Sequence, residues 1–273
     1  MKSIANNDIK SNVETTLRLI DSHAHIEMEP LSADVPGVIA RALATGVVGI
    51  ITVGIDIDDA QAALKIAREN EVVFASIGFH PHNAKSVGAG DLCLMEDLAS
   101  DPKVVAYGEI GLDFFRNHSP RDVQISVFED QIDIAKKKNK PLVIHLRDAY
   151  SQGLEILEKK GPYASGGVIH CFSGDQSDVQ RALDLGFHIS IPGTVTYKKN
   201  NILRSIVSDI PDDRILLETD CPFLAPEPLR GKDNEPSFII HTARKVAEVR
   251  GVKLNDLALM TTDNAIRLFN LPL

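Results

Sequence analysis

The amino-acid sequence predicts a (β/α)8 barrel, the TIM-barrel class of α/β fold. Three observations predict it. Eight short apolar runs alternate with longer helical patterns over about 250 residues, an ordinary size for one α/β barrel. Each run is rich in Val and Ile and apolar on both faces, as parallel strands covered on each side must be. The residues able to do metal or acid–base chemistry fall at the ends of different runs, where such a barrel collects its chemistry. A doubly wound open sheet is the competing architecture.

The expected strands occupy residues 17–21, 47–53, 72–77, 104–107, 141–145, 167–170, 187–191 and 215–217. In the first connection Pro36 suits a first helical turn, and Gly46 follows the apolar-periodic stretch that ends near Thr45. Asp56 or Asp58 can cap the next helix, which runs to Glu69. Ser119-Pro120 reads as an N-cap followed by a first-turn proline. The helix it starts carries Val123, Val127, Ile132 and Ile134 on one broad face. Helices near 237–249 and 254–269 close the chain. Residues 1–16 are polar and irregular and are expected to form a flexible leader, leaving 17–273 as a single barrel domain.

Composition narrows the function classes. A hydrophobic fraction of 44% with 25% charged residues is that of a soluble globular protein, and the absence of Trp makes the core aliphatic. A net charge of −9 argues against a broad electrostatic grip on nucleic acid, though not against a strand bound locally through metal ions. The run Lys136-Lys137-Lys138 reads as a solvated helix end that complements the dipole. No apolar run reaches the ~18 residues of a membrane span, and the N-terminus lacks a secretory pattern. Cys93, Cys171 and Cys221 have no CxxC spacing and suggest a reduced, cytoplasmic compartment.

His23 and His25 follow the first run, His80 the third, Glu109 the fourth, His145 the fifth, His170 the sixth and Asp220 the eighth. Residues i and i+2 of a strand share a face, so His23 and His25 can grip one cation. Imidazole with carboxylate suits zinc, manganese, iron or nickel; magnesium, which prefers oxygen, is a weaker guest. Each residue also has a plainer reading. His-x-His alone is a weak signal. Glu109 could pair with an Arg, but a carboxylate directly after an apolar strand is costly to bury, and a metal resolves that cost. His145 could be a core histidine partnered by Arg147 or Asp148. Cys171 could be a nucleophile, but no oriented base is singled out for it, which favours a structural thiol. Asp220 could cap a helix, or be a ligand that orients an attacking water. Phe114, Phe115 and Phe172 could stack on a base or simply pack. Arg230 and Lys232 could meet phosphates, or belong to a solvated loop held by Asp233 and Glu235.

These stretches together resemble the TatD family of metal-dependent hydrolases, among the amidohydrolase-like barrels. The matching stretches are Ile20-Asp21-Ser22-His23-Ala24-His25, Gly78-Phe79-His80-Pro81-His82, Gly108-Glu109-Ile110-Gly111-Leu112-Asp113, His145-Leu146-Arg147-Asp148, His170-Cys171-Phe172-Ser173-Gly174 and Glu218-Thr219-Asp220-Cys221-Pro222, in order from about Arg18 to Phe269. The resemblance implies a metal pair. His23, His25, Glu109 and Asp220 would hold one ion, and Glu109 would bridge to a second held by His145 and His170. His80 would contact the substrate phosphate. On the residues themselves Arg147 and Arg230 are expected as further substrate contacts, and Asp220, Glu109 and His80 as the catalytic set. The resemblance implies a deoxyribonuclease, 3′→5′ exonuclease-like on a single-stranded DNA or RNA end. The barrel is long enough to work as a monomer. The alternative is an ester, amide or aminoacyl-tRNA hydrolase, and a catalytically idle scaffold is the third reading. Leu146, Ile191-Pro192-Gly193 and Cys221 depart from the family pattern, which puts substrate choice in doubt.

Overall fold

Strands with no polar face persist only between two apolar layers, and this chain supplies both. The computed structural model describes residues 17–273. The leader expected over residues 1–16 lies outside the described residues. The strands are β1 (Leu19–Ala24), β2 (Val47–Gly54), β3 (Val73–Ile77), β4 (Val104–Asp113), β5 (Leu142–Arg147), β6 (Gly167–Ile169), β7 (His188–Ile191) and β8 (Ile215–Leu217). Between and after them run α1 (Val35–Ala44), α2 (Ile57–Glu69), α3 (Asp91–Leu98), α4 (Arg121–Lys137), α5 (Tyr150–Lys160), α6 (Gln176–Asp184), α7 (Asn201–Asp209), α8 (Ile239–Arg250) and α9 (Leu254–Phe269). The strands pair in parallel in the order one to eight. The open-sheet alternative is excluded because β1 returns to β8. Ala24 bridges Cys221, the His25 amide donates to the Cys221 carbonyl at 2.8 Å, and the Asp220 amide donates to the His23 carbonyl at 2.9 Å.

Side-chain alternation divides the core in two. One face of the strands, with Ile50, Ile77, Tyr107, Ile144 and Ile189, packs outward on the helices. The other face, with Ile20, Ile51, Val53, Phe74, Val105, Val143, Val168 and Leu216, fills the barrel with Phe269 and Leu271 from the chain end. The aliphatic floor leaves only the C-terminal ends of the strands open for polar chemistry.

Local signals account for several ends. Asp34 accepts from the Gly37 amide with Pro36 in the first turn of α1, and Asp56 accepts from the Asp59 amide to cap α2. Ser119 does not cap α4. Its hydroxyl donates to the His82 carbonyl at 2.8 Å and accepts from the Lys85 amide at 3.0 Å, so the helix starts uncapped at Pro120. The buried stripe of α4 is Gln124, Phe128, Gln131, Ile132 and Ala135; Val123, Val127 and Ile134 are only half-buried. The two glutamines clamp backbone. Gln131 accepts from the Phe79 amide and donates to the Phe79 carbonyl, and Gln124 does the same for Asp113.

His188, at the start of β7, is buried and its Nδ1 has no hydrogen-bond partner. Burial pushes its pKa down to about 4. An unfolded histidine titrates near ~6.5. Between these values the unfolded chain binds a proton that the folded chain refuses, so stability is lost as pH falls through that window. His188→Gln should flatten the drop in unfolding free energy between pH 6.5 and 4 by about 3 kcal/mol. Parallel denaturation curves for variant and wild type would show that the ring is not the source.

Candidate metal centre

The barrel seam and one irregular strand assemble the site. The hydrogen bonds that close β1 on β8 run through His23, His25 and Asp220, so closure itself brings these residues together. His23 lies within β1, rather than after it as the apolar run suggested. Asp220 is in the left-handed region at φ 55, a conformation rare for a residue with a side chain and concentrated at functional sites. On the far side β4 runs past the expected end at residue 107 through a register shift between Tyr107 and Ile110. Gly108 and Gly111 have φ of 150° and 146°, and a Cβ on either would meet β5 backbone oxygen at 2.3 and 2.0 Å. Only glycine permits this close approach. The bulge between them carries Glu109 within the strand rather than at its end.

The side chains converge in two groups that share Glu109. In the first, His23 Nε2 and His25 Nε2 are 3.2 Å apart. Glu109 Oε2 lies 3.4 and 3.8 Å from them, and Asp220 Oδ1 3.8 and 3.6 Å. Donors at the corners of a tetrahedron with ~2.0–2.1 Å bonds stand about 3.3–3.4 Å apart, so the convergence of His23, His25 and Asp220 is compatible with one ion, with Glu109 close to both histidines. In the second, Glu109 Oε1 meets His145 Nδ1 at 2.6 Å, His170 Nε2 at 2.7 Å and His80 Nε2 at 3.4 Å. The rings of His23 and His170 stack at 3.9 Å and form a common wall.

Charge bookkeeping supports the fit. Five buried or nearly buried carboxylates surround the histidines: Glu27, Glu109, Asp113, Glu218 and Asp220. Among the described residues their only ion-pair partners are histidines. Buried anions without a cation are costly, and divalent ions at the convergent donors would offset them. Three of the acids sit behind ring nitrogens. Glu27 Oε1 is 3.3 Å from His25 Nδ1, Asp113 Oδ2 is 3.4 Å from His145 Nε2, and Glu218 Oε1 is 3.6 Å from His170 Nδ1. His25 Nδ1 also faces the Val53 carbonyl at 2.8 Å, which fixes the proton there and frees Nε2 as a donor.

The pKa directions follow. Burial disfavours charge on His25, but the carboxylates of Asp220 and Glu27 outweigh it and hold that pKa well above the usual range. Burial is likewise outweighed at His170 by Glu109 and Glu218, and at His145 by Asp113 and Glu109. Glu109, buried among histidines that overcome the burial cost, is held well below the usual carboxylate range. His80 is pushed down to about 4 by burial, which its Glu109 neighbour does not overcome. Its Nδ1 accepts from the His82 amide at 3.1 Å, so neutral His80 carries its proton on Nε2.

Other expectations fare differently. His145 is partnered by Glu109 and Asp113, while Arg147 and Asp148 are exposed. Arg147 lies over the Phe115 ring at 4.2 Å, and Arg230 over the Tyr197 ring at 4.4 Å. Phe172 is buried and packs on Tyr150, which removes it as a base platform; Phe115 is exposed and Phe114 half-buried. Burial raises the Cys171 thiol well above its usual value, against a nucleophilic role. Glu235 pairs with Arg41 rather than with Arg230 or Lys232. Buried Asn234 ties that loop down by donating to the Thr219 and Phe223 carbonyls at 2.8 and 2.6 Å. Sequence reasoning assigned no role to Glu27, Asp113, Glu218, Gln124, Gln131, Asn234 or Phe223. The cost of burying a carboxylate, used for Glu109, was signal enough for Asp113 and Glu218.

A family model described as TatD related DNase matches residues 20–270. The uncharacterized metal-dependent hydrolase YabD of Bacillus subtilis (strain 168) is 41% identical over 253 residues, covering 93% of this chain and 99% of that protein. The 3′-5′ ssDNA/RNA exonuclease TatD of Salmonella typhimurium is 35% identical over 256 residues, covering 92% and 98%. The crystal structure of YJJV, a TatD homolog from Escherichia coli K12, superimposes with a TM-score of 0.89 at 28% identity, covering 94% of this chain and all of that one.

Proposed function

The chain belongs to the TatD-related DNase family of metal-dependent hydrolases, and on that premise we propose that it is a two-metal phosphodiesterase acting 3′→5′ on the ends of single-stranded nucleic acid. The observation that carries the reading is the divided Glu109 carboxylate, with Oε2 facing His23 and His25 and Oε1 facing His145 and His170. His23, His25, Glu109 and Asp220 would hold one ion; Glu109, His145 and His170 the other. Zinc, manganese, iron or nickel suits this nitrogen-rich set better than magnesium. When bound, the ions would polarise a phosphoryl oxygen and lower the pKa of an attacking water toward ~7.

The protein groups do the rest. Asp220 is the most open member of the first group, its side chain 14% exposed against 0% for His23 and 4% for Glu109. Partly open to solvent beside His23 and His25, it can orient a water and take its proton. His80 faces the second group as a neutral donor from Nε2 and can hydrogen-bond a phosphoryl oxygen as charge builds. Arg147, exposed at the end of β5, supplies a positive charge at the same mouth, and Arg230 a second one after β8. No described helix is long and apolar enough to cross a membrane. Three unpaired cysteines support a cytoplasmic setting, and we take the working unit to be a monomer.

End-labelled single strands, assayed beside ester and aminoacyl substrates, test the reading. Shortening from the 3′ end by metal-loaded protein is expected; no cleavage of any nucleic acid would sink it. His80→Ala should lower kcat about 100-fold with metal occupancy near normal, the scale of losing one transition-state donor. Because His80 Nε2 also converges with Glu109 and His145, equal metal loss would instead make it a ligand.

A further inference from the structure

Two aromatic rings stand open at the mouth of the barrel. The sequence holds ten phenylalanines, and only Phe115 and Phe223 are exposed, at 55% and 52%. Phe115 follows β4 and Phe223 follows β8. In a barrel paired in order from one to eight, those strands are diametrically opposed. Glu109 comes from one and Asp220 from the other, so the candidate donors lie between the two rings.

Neither ring is on a loose segment. Beside Phe115, the Phe114 amide donates to the Arg147 carbonyl at 2.9 Å and the Arg116 amide to Asp113 Oδ1 at 2.7 Å. The Arg147 guanidinium lies over the Phe115 ring. The Phe223 amide donates to the Asp220 carbonyl at 2.9 Å, its carbonyl accepts from buried Asn234, and its ring meets that of His25 edge-on at 6.2 Å. A single exposed apolar side chain needs no explanation. Two rings fixed on opposite rims of one polar site do. A base stacks on such a ring whatever its identity, since every base has a π face. Stacking also suits the composition: a net charge of −9 argues against a broad basic surface for a polyanion, so local contacts gain weight.

We propose that Phe115, backed by Arg147, and Phe223 are paired stacking platforms for the nucleobases on either side of the scissile phosphate. The proposal rests on the phosphodiesterase reading of the site. It makes the enzyme require a base on each side of the bond it cuts and tolerate any base identity.

The test uses metal-loaded protein and single strands carrying one abasic residue immediately 5′ or 3′ of the terminal bond. In wild type each abasic residue should lower kcat/KM about tenfold relative to the intact strand. Phe115→Ala should be about tenfold slower on the intact strand and indifferent to the abasic residue on one side only. Phe223→Ala should be indifferent on the other side only. The Phe→Tyr variants should behave as wild type, and metal content should be unchanged throughout. 2-Aminopurine at each position should be quenched on binding wild type and lose that quenching in the matching variant. A wild type indifferent to both abasic strands overturns the proposal. So do alanine variants that keep both sensitivities, or that lose the same one. Failure of wild type to cut any strand is a different result: it defeats the phosphodiesterase reading and the platforms with it.

Discussion

Glu109→Gln should strip both groups of metal and lower kcat/KM by at least about 10⁴-fold, because the attacking water would keep a pKa near ~15.7 instead of ~7. The substitution keeps the volume of a side chain that is only 3% exposed, so packing is preserved while the charge is lost. One Gln oxygen can serve one group, but the amide nitrogen then faces the other as a donor, turned toward His23 and His25 or toward His145 and His170. The neutral amide also removes the negative charge that holds the His145 and His170 pKa values up. Metal analysis of the purified variant, beside circular dichroism to show an intact barrel, separates lost ligation from lost structure. A variant that keeps wild-type metal content at both groups would remove Glu109 from the bridging position.

The barrel was legible in the sequence because its signals are local and repeated. Buried parallel strands need Val and Ile on both faces, and runs such as Ile50-Ile51-Thr52-Val53 say so without any partner being known. Strand ends were less legible. Gly108 and Gly111 read as punctuation at the end of an apolar run. Yet β4 continues to Asp113, because what those glycines permit is a close approach to β5 backbone, a tertiary fact. The six donors His23, His25, Glu109, His145, His170 and Asp220 could be named because each follows or ends such a run. Those behind and around them could not be placed so easily. On α4 the aliphatic residues carry the stronger sequence signal, although seven-residue spacing puts Gln124 and Gln131 on one face. Their worth lies in holding the backbone at Asp113 and Phe79, beside His145 and His80. Ser119 has the sequence of a cap, but a nearby carbonyl and amide claimed its hydroxyl. Phe223 gave no sign at all, since exposure of one ring among ten is set by the loop that Asn234 fastens.

Asp220→Asn is the second decisive substitution, and it should separate proton transfer from ligation. The amide can still offer an oxygen toward His23 and His25, so the first group should lose affinity for its ion without the second losing its own. Glu109 Oε1, His145 and His170 do not depend on Asp220 for their mutual contacts. What the amide cannot do is accept a proton from water. Asp220 can, because its carboxylate is ionised at neutral pH: burial opposes that charge, but His25 and His170 outweigh it and hold the pKa below the usual value. General base catalysis contributes roughly 10²–10⁴-fold. A fall in kcat of about 10³-fold is therefore expected even when added metal saturates the first group. The saturating arm matters most. If kcat returns to within tenfold of wild type once the ion is restored, Asp220 is a ligand alone and the proton goes elsewhere. If kcat stays low with both ions in place, the carboxylate that closes the barrel seam through its own backbone amide is also the group that takes the proton.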